Sequence, residues 1–218
     1  RFISGSDWDI VTVKYNGATG AEIWSNIHAG SALFDFGSDV AVDASDNVIV
    51  CGTRGSGPGD VDVITLKYDS GGTFLWEDWF GAGGSDEATV VTTDAAGNIY
   101  VGGFYEFSAA TTFVDFLLVK YNASGTTLFT VTQDSDFGQL DKPNAIALDP
   151  SGDIILAGSG FTDILNEQDY LTMKFDNATG ALDWKALYAG DAEDLDVINA
   201  VAVDGSGNIF VTGKSKSI

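Results

Sequence analysis

A strand–turn–strand phrase is written four times along this chain, and that repetition constrains the fold more than any other feature. It reads Asn144-Ala-Ile-Ala-Leu-Asp149-Pro-Ser-Gly152-Asp-Ile-Ile-Leu-Ala-Gly158, with counterparts at 39–52, 88–103 and 199–213. Its turn recurs as Asp43-Ala-Ser-Asp46-Asn47, Asp94-Ala-Ala-Gly97-Asn98 and Asp204-Gly-Ser-Gly207-Asn208. Asp opens such turns because its short carboxylate bonds backbone N–H groups two residues on. The turn lacks the alternating carboxylates and closing Glu of an EF-hand, so it is read as a turn and not as a calcium loop.

A second strand repeats between these phrases, marked by Lys14-Tyr15, Lys67-Tyr68, Lys120-Tyr121 and Lys174-Phe175, which lie 53, 53 and 54 residues apart. Asp9, Asp62, Asp115 and Asp169 stand five residues before each Lys, with strand-forming residues between. A glycine turn and a fourth strand around Trp24, Trp76, Phe129 or Trp184 follow. No stretch carries a helical period. One repeat is therefore four antiparallel strands in about 54 residues, the signature of a propeller blade.

The expected fold is all-β: a single β-propeller domain over 1–218, with blades at approximately 31–83, 84–135 and 136–190. The fourth blade combines 191–218, supplying strands one and two, with 1–30, supplying strands three and four. Closing the ring this way removes two exposed sheet edges. A fragment of a larger ring, two chains forming eight blades, and a filament of exchanged half-blades are the other arrangements the phase allows.

Composition narrows function by exclusion. The chain carries 32 acidic and 10 basic residues, a net charge of −22. Nucleic-acid binding needs Lys and Arg to displace counterions from phosphate, so nucleic acid is not an expected partner. Anionic membrane surfaces are disfavoured too, whereas solubility, cations and a saline medium are favoured. No apolar run approaches the roughly 18 residues of a membrane-spanning helix, so membrane insertion is not expected. The chain begins at Arg1 without Met, as a processed or excised piece would.

At Ala200-Val-Ala-Val-Asp204-Gly-Ser-Gly-Asn-Ile-Phe-Val-Thr-Gly213, with Asp-x-x-x-x-Lys-Tyr in the following half-blade, the chain resembles the bacterial and archaeal β-propeller repeat family SBBP. The resemblance runs over essentially the whole chain. It implies secreted or surface-attached proteins, usually multi-domain, mostly without an assigned enzymatic activity. It supplies no catalytic residues, and the family name presumes seven blades where this chain has about four.

Comparison between repeats separates scaffold from site, because scaffold positions recur and a site breaks the pattern. His28, the only His, has Phe80, Gln133 and Tyr188 as counterparts, and reads as a surface side chain. Cys51 stands where Gly102, Ala157 and Thr212 stand, and reads as a buried, inert thiol. Each repeated Lys is expected to meet a carboxylate at a blade interface, the turn Asp of its own or a neighbouring blade being the candidate. Acids cluster just before strand one: Asp35 and Asp39, Asp86 and Glu87, Asp141, Asp194 and Asp196. Asp39, Asp86, Asp141 and Asp196 are the metal candidates, able to hold Ca²⁺ if they converge at one mouth of the channel; no other cofactor is expected. Asn122-Ala-Ser124 and Asn177-Ala-Thr179 are N-glycosylation sequons at equivalent turns. The blade-specific loops at 106–113 and 136–143 present Phe107, Phe113 and Phe137 to a partner chain or sugar.

The function expected from these features is a non-enzymatic extracellular or cell-surface propeller, a structural or protein-interaction module that self-associates or binds other surface proteins. A glycan- or Ca²⁺-binding propeller is the first alternative. The second is a lyase or hydrolase with its site at the channel mouth, which requires converging carboxylates of perturbed pKa.

Overall fold

The computed structural model describes residues 8–30, 34–57, 59–81, 83–106, 114–135, 140–161, 168–190 and 195–215; Phe107, Phe113, Phe137 and Asp194 lie outside them. All the regular elements described are strands: β1 (Ile10–Tyr15), β2 (Glu22–His28), β3 (Asp35–Val42), β4 (Val48–Gly57), β5 (Asp60–Tyr68), β6 (Phe74–Phe80), β7 (Glu87–Thr93), β8 (Ile99–Glu106), β9 (Val114–Tyr121), β10 (Thr127–Gln133), β11 (Lys142–Leu148), β12 (Ile154–Phe161), β13 (Gln168–Phe175), β14 (Leu182–Tyr188), β15 (Val197–Val203) and β16 (Ile209–Lys214). The strands β3–β6, β7–β10 and β11–β14 form three four-stranded antiparallel sheets in chain order, while β1–β2 and β15–β16 form two-stranded sheets. The described residues form an all-β propeller with three whole blades and two half-blades.

The turn chemistry matches the sequence. The Asp43 carboxylate accepts from the backbone N–H groups of Ser45 and Asn47, both at 2.9 Å, and Asp94, Asp149 and Asp204 accept in the same way. The fourth turn position is left-handed, taken by glycine in three copies and by Asp46 at φ 61° in the first. The glycine that ends each phrase has a different reason. Strand one of every sheet carries a bulge opposite it, as at Gly37/Asp39 and Ala88/Val90. A Cβ on Gly52, Gly103, Gly158 or Gly213 would overlap the carbonyl oxygen of Phe36, Glu87, Lys142 or Val197 respectively.

Strands two and three, the inner strands of each whole blade, are buried along nearly their full length. Alternate side chains of one strand serve different cores. Val101 packs with Ile49 and Val63 of the preceding blade, while its neighbour Tyr100 packs with Leu156 and Met173 of the following one.

Two side-chain relations repeat at successive junctions between blades. Lys14, Lys67 and Lys120 donate from Nζ to the carbonyls of Ser70, Ala123 and Asn177, each in the strand three–four turn of the next blade, at 2.8, 3.1 and 2.7 Å. Trp24, Trp76 and Phe129 lie against Gly72, Gly125 and Gly180 of the same turns, so closely that a Cβ there would meet the ring at 2.7 to 2.8 Å. The expected carboxylate partner is present for Lys67, 2.9 Å from Asp43, and for Lys174, 2.7 Å from Asp149. Lys120 instead meets the side-chain oxygen of Asn177 at 2.7 Å, because its own turn acid, Asp94, bonds Asn98 and Tyr100.

The half-blades carry the strands their phase predicts, but the described residues form no ladder between them. Among the described residues β1 pairs with β2 and β16 with β15, and nothing bridges β16 to β1. β1–β2 is tied to the blade of β3–β6, and β15–β16 is packed on that of β11–β14.

Candidate functional site

Antiparallel order sends every strand two–three loop and every connection between blades to one face of the propeller. Four aspartates guard that face, each just before or at the start of strand one. Asp35, Asp86, Asp141 and Asp196 are essentially fully buried. Their backbone N–H groups donate to the carbonyls of Trp8, Val61, Val114 and Gln168 in the preceding blade at 2.7 to 2.9 Å. Their carboxylates accept from the end of strand two in their own blade, Gly55 to Asp35, Glu106 to Asp86 and Phe161 to Asp141. Gly30, Ser135 and Gly190 supply further N–H donors to Asp35, Asp141 and Asp196. These acids rivet one blade to the next. The recurring position is Asp35 and not Asp39. Asp39 aligns with Val90, Ala145 and Ala200, and its carboxylate accepts from Val91 N across the first junction at 2.9 Å. Asp39, Asp86, Asp141 and Asp196 thus stand one to a blade, and the structure gathers no three of them at ligand distance among the described residues.

Asp141 has other company. Ligand oxygens of Asp115, Asp134 and Asp141 lie within 4.8 Å of one another. Asp115 opens β9, Asp134 follows β10, and Asp141 precedes β11, so the fold assembles them from three segments. Asp115 and Asp134 are half-buried and reach solvent, with Asp141 beneath them. Burial, helped by the negative charge of Asp134, pushes the Asp141 carboxyl up to about 6 against the bonds from Ser135 and Phe161. The same two causes raise Asp115. The Ser135 hydroxyl, fully buried, leans on Asp141 enough to favour its ionised form but completes no well-formed hydrogen bond. Three hard carboxylates and a hydroxyl converging at a solvent edge form a donor set suited to a divalent cation such as Ca²⁺.

Asp134 is where the repeat breaks. Its counterparts are Gly81, Ala189 and Ala29, by alignment on the strand-four residues Gln133, Phe80, Tyr188 and His28. At Gly81 a Cβ would overlap the carboxylate of Asp62, the counterpart of Asp115. Comparing repeats at this position would have found Asp134; the proximity of three residues spread over 115–141 needed the fold.

The remaining candidates separate. Asn122 sits in an outer turn, its side-chain oxygen accepting from Ser124 and Thr126. Asn177 is tied into a junction, its side-chain oxygen accepting from Lys120 Nζ at 2.7 Å and Tyr100 OH at 2.8 Å. Cys51 is buried, and burial raises its thiol far above the usual range. His28 is not a solvated side chain: its Nε2 lies 3.2 Å from Glu77 Oε2, and its ring stacks with Phe74 across the first junction.

Residues 184–218 match the family model of the SBBP β-propeller repeat. No curated protein matches the chain. Among solved structures it is similar to a presumed gluconolactonase, at 13% identity over 86% of this chain and 60% of that one, with a TM-score of 0.43. A glucose dehydrogenase is 11% identical over 93% of this chain and 87% of that one, also at 0.43. Sqt1 from Chaetomium thermophilum is 11% identical over 78% and 75%, at 0.21. The chain spans 60% of the length of the first of these. The expectation of a non-enzymatic structural module is corrected here. Its premise was the lack of any acid/base constellation, and that premise fails: Asp115, Asp134 and Asp141 converge, and the carboxyls of Asp115 and Asp141 are raised.

Proposed function

We propose that the protein is a cation-dependent propeller enzyme of the hydrolase class, with its centre at Asp115, Asp134 and Asp141. The observation that carries this reading is the convergence of the three carboxylates where Asp134 breaks the blade repeat. Acids whose pKa is perturbed by desolvation and a charged neighbour, clustered at a solvent edge, are the physical mark of a functional-site candidate. A bound divalent cation would supply positive charge to polarise a carbonyl oxygen or a water. Asp115 and Asp134 face solvent and would hold its outer side, with Asp141 anchoring it from below. The net charge of −22 repels anionic substrates, so neutral esters and lactones fit this surface better than phosphate esters. The same acidity fits an extracellular or cell-surface setting rich in salt and calcium.

Hydrolysis of a panel of neutral esters and lactones, measured with Ca²⁺ and with a chelator, tests the reading. Activity should require the cation and disappear in Asp134→Ala, which installs the small residue of the other blades. Equal activity in chelator, or an Asp134→Ala variant as active as the parent, would overturn it.

A further inference from the structure

We propose that the open slot beside β3 is filled by the β15–β16 half-blade of a second copy of this chain, so that two copies close one ring. Every other strand one packs on three strands of the preceding blade: β7 on β3, β4 and β5, β11 on β7, β8 and β9, β15 on β11, β12 and β13. Of its three, β3 packs appreciably on β1 alone among the described residues. The two missing strands are a β15–β16 pair, and a cavity of about 670 Å³ lies in their place, lined by Val11, Val13, Tyr15, Val40, Val42 and Val50.

The far end of the chain shows the matching deficit. Trp184 occupies the position of Trp24 and Trp76 but is 39% exposed, because no glycine turn lies over it. The β1–β2 turn of another copy, with Gly20 at φ 70°, is the missing cover. Phe210 and Val211 of β16 stand exposed along an unpaired edge. Whole blades set Ile49 opposite Lys67, Tyr100 opposite Lys120 and Ile155 opposite Lys174. The same register sets Phe210 opposite Lys14 and Val211 opposite Val13.

Charge completes the match. Asp204 stands in the turn position of Asp43 and Asp149, which pair with Lys67 and Lys174 of their own blades. Lys14 is the corresponding lysine of the composite blade, and it forms no ion pair among the described residues. Among the described residues of one chain these groups do not pair, whereas a two-fold ring brings them together twice. Six whole blades and two composite ones make eight, within the range of four to eight that propellers commonly adopt.

The test is the mass of the full chain in solution, for the parent and for Lys14→Asp and Asp204→Lys separately and mixed. The parent should run at twice the 22.9 kDa of one chain. Each variant alone places like charges together at both composite blades and should dissociate at least tenfold more readily. Mixing the two variants restores opposite charges at both junctions and should restore the dimer. A monomeric parent, larger multiples, or a mixture no tighter than its components would overturn the proposal. The readout is independent of cation binding and hydrolysis.

Discussion

Lys67 Nζ lies 2.9 Å from Asp43 Oδ2 with both side chains almost wholly buried, and it also donates to Ala123 O of the next blade at 3.1 Å. One ammonium thus holds the turn of its own blade and the turn of its neighbour.

Removing one partner of such a pair leaves a buried charge unmatched. Lys67→Ala is expected to destabilise by about 3–5 kcal/mol, and Lys67→Met with Asp43→Asn by much less. Chemical denaturation of the two variants checks this; equal losses would mean that packing, not charge, sets the cost.

Gly103 faces the bulge of β7 at backbone contact with Glu87. Gly103→Ala is expected to cost roughly 1–3 kcal/mol as the strand shifts. Gly205→Ala, where a Cβ meets nothing within 4 Å, should leave thermal unfolding unchanged.

The pH dependence has two limbs. Burial raises Asp43 and Asp149, but the bonds from Lys67 and Asn47, and from Lys174 and Ser151, outweigh it and leave both at about 2. Their contribution is complete above their ordinary 3.8 and is lost as pH falls towards 2. Asp141 runs the other way: its folded carboxyl sits at about 6, so its contribution is complete below 3.8 and is lost as pH rises to 6. Thermal melts should show this second decline in the parent and not in Asp141→Asn, and Ca²⁺ should abolish it.

Trp76 packs into the core between the first two whole blades, whereas Trp184 lacks its covering turn within the chain. Trp76→Ala is expected to cost about 3–5 kcal/mol. Trp184→Ala should cost clearly less under conditions where the chain is monomeric, as seen by unfolding at low protein concentration.

Strands, turns and blade phase were legible because they are written locally, in alternation, in Asp-led turns and in the glycines opposite each bulge. The contacts between blades were not, since packing such as Val101 on Ile49 and Tyr100 on Leu156 joins residues that no single repeat encodes. The metal candidates were half legible. Asp141 was singled out for preceding strand one, but its partners Asp115 and Asp134 lie 26 and 7 residues away and meet it only through the sheet. Asp39 misled because it neighbours the recurring acid position without occupying it.

The account rests most heavily on the three carboxylates acting as one cation site. A calorimetric titration of Ca²⁺ into the parent chain and into Asp134→Ala at pH 7 tests it directly. The account predicts saturable heat at one site per chain for the parent and none for the variant; no heat from the parent, or equal heat from both, would contradict it.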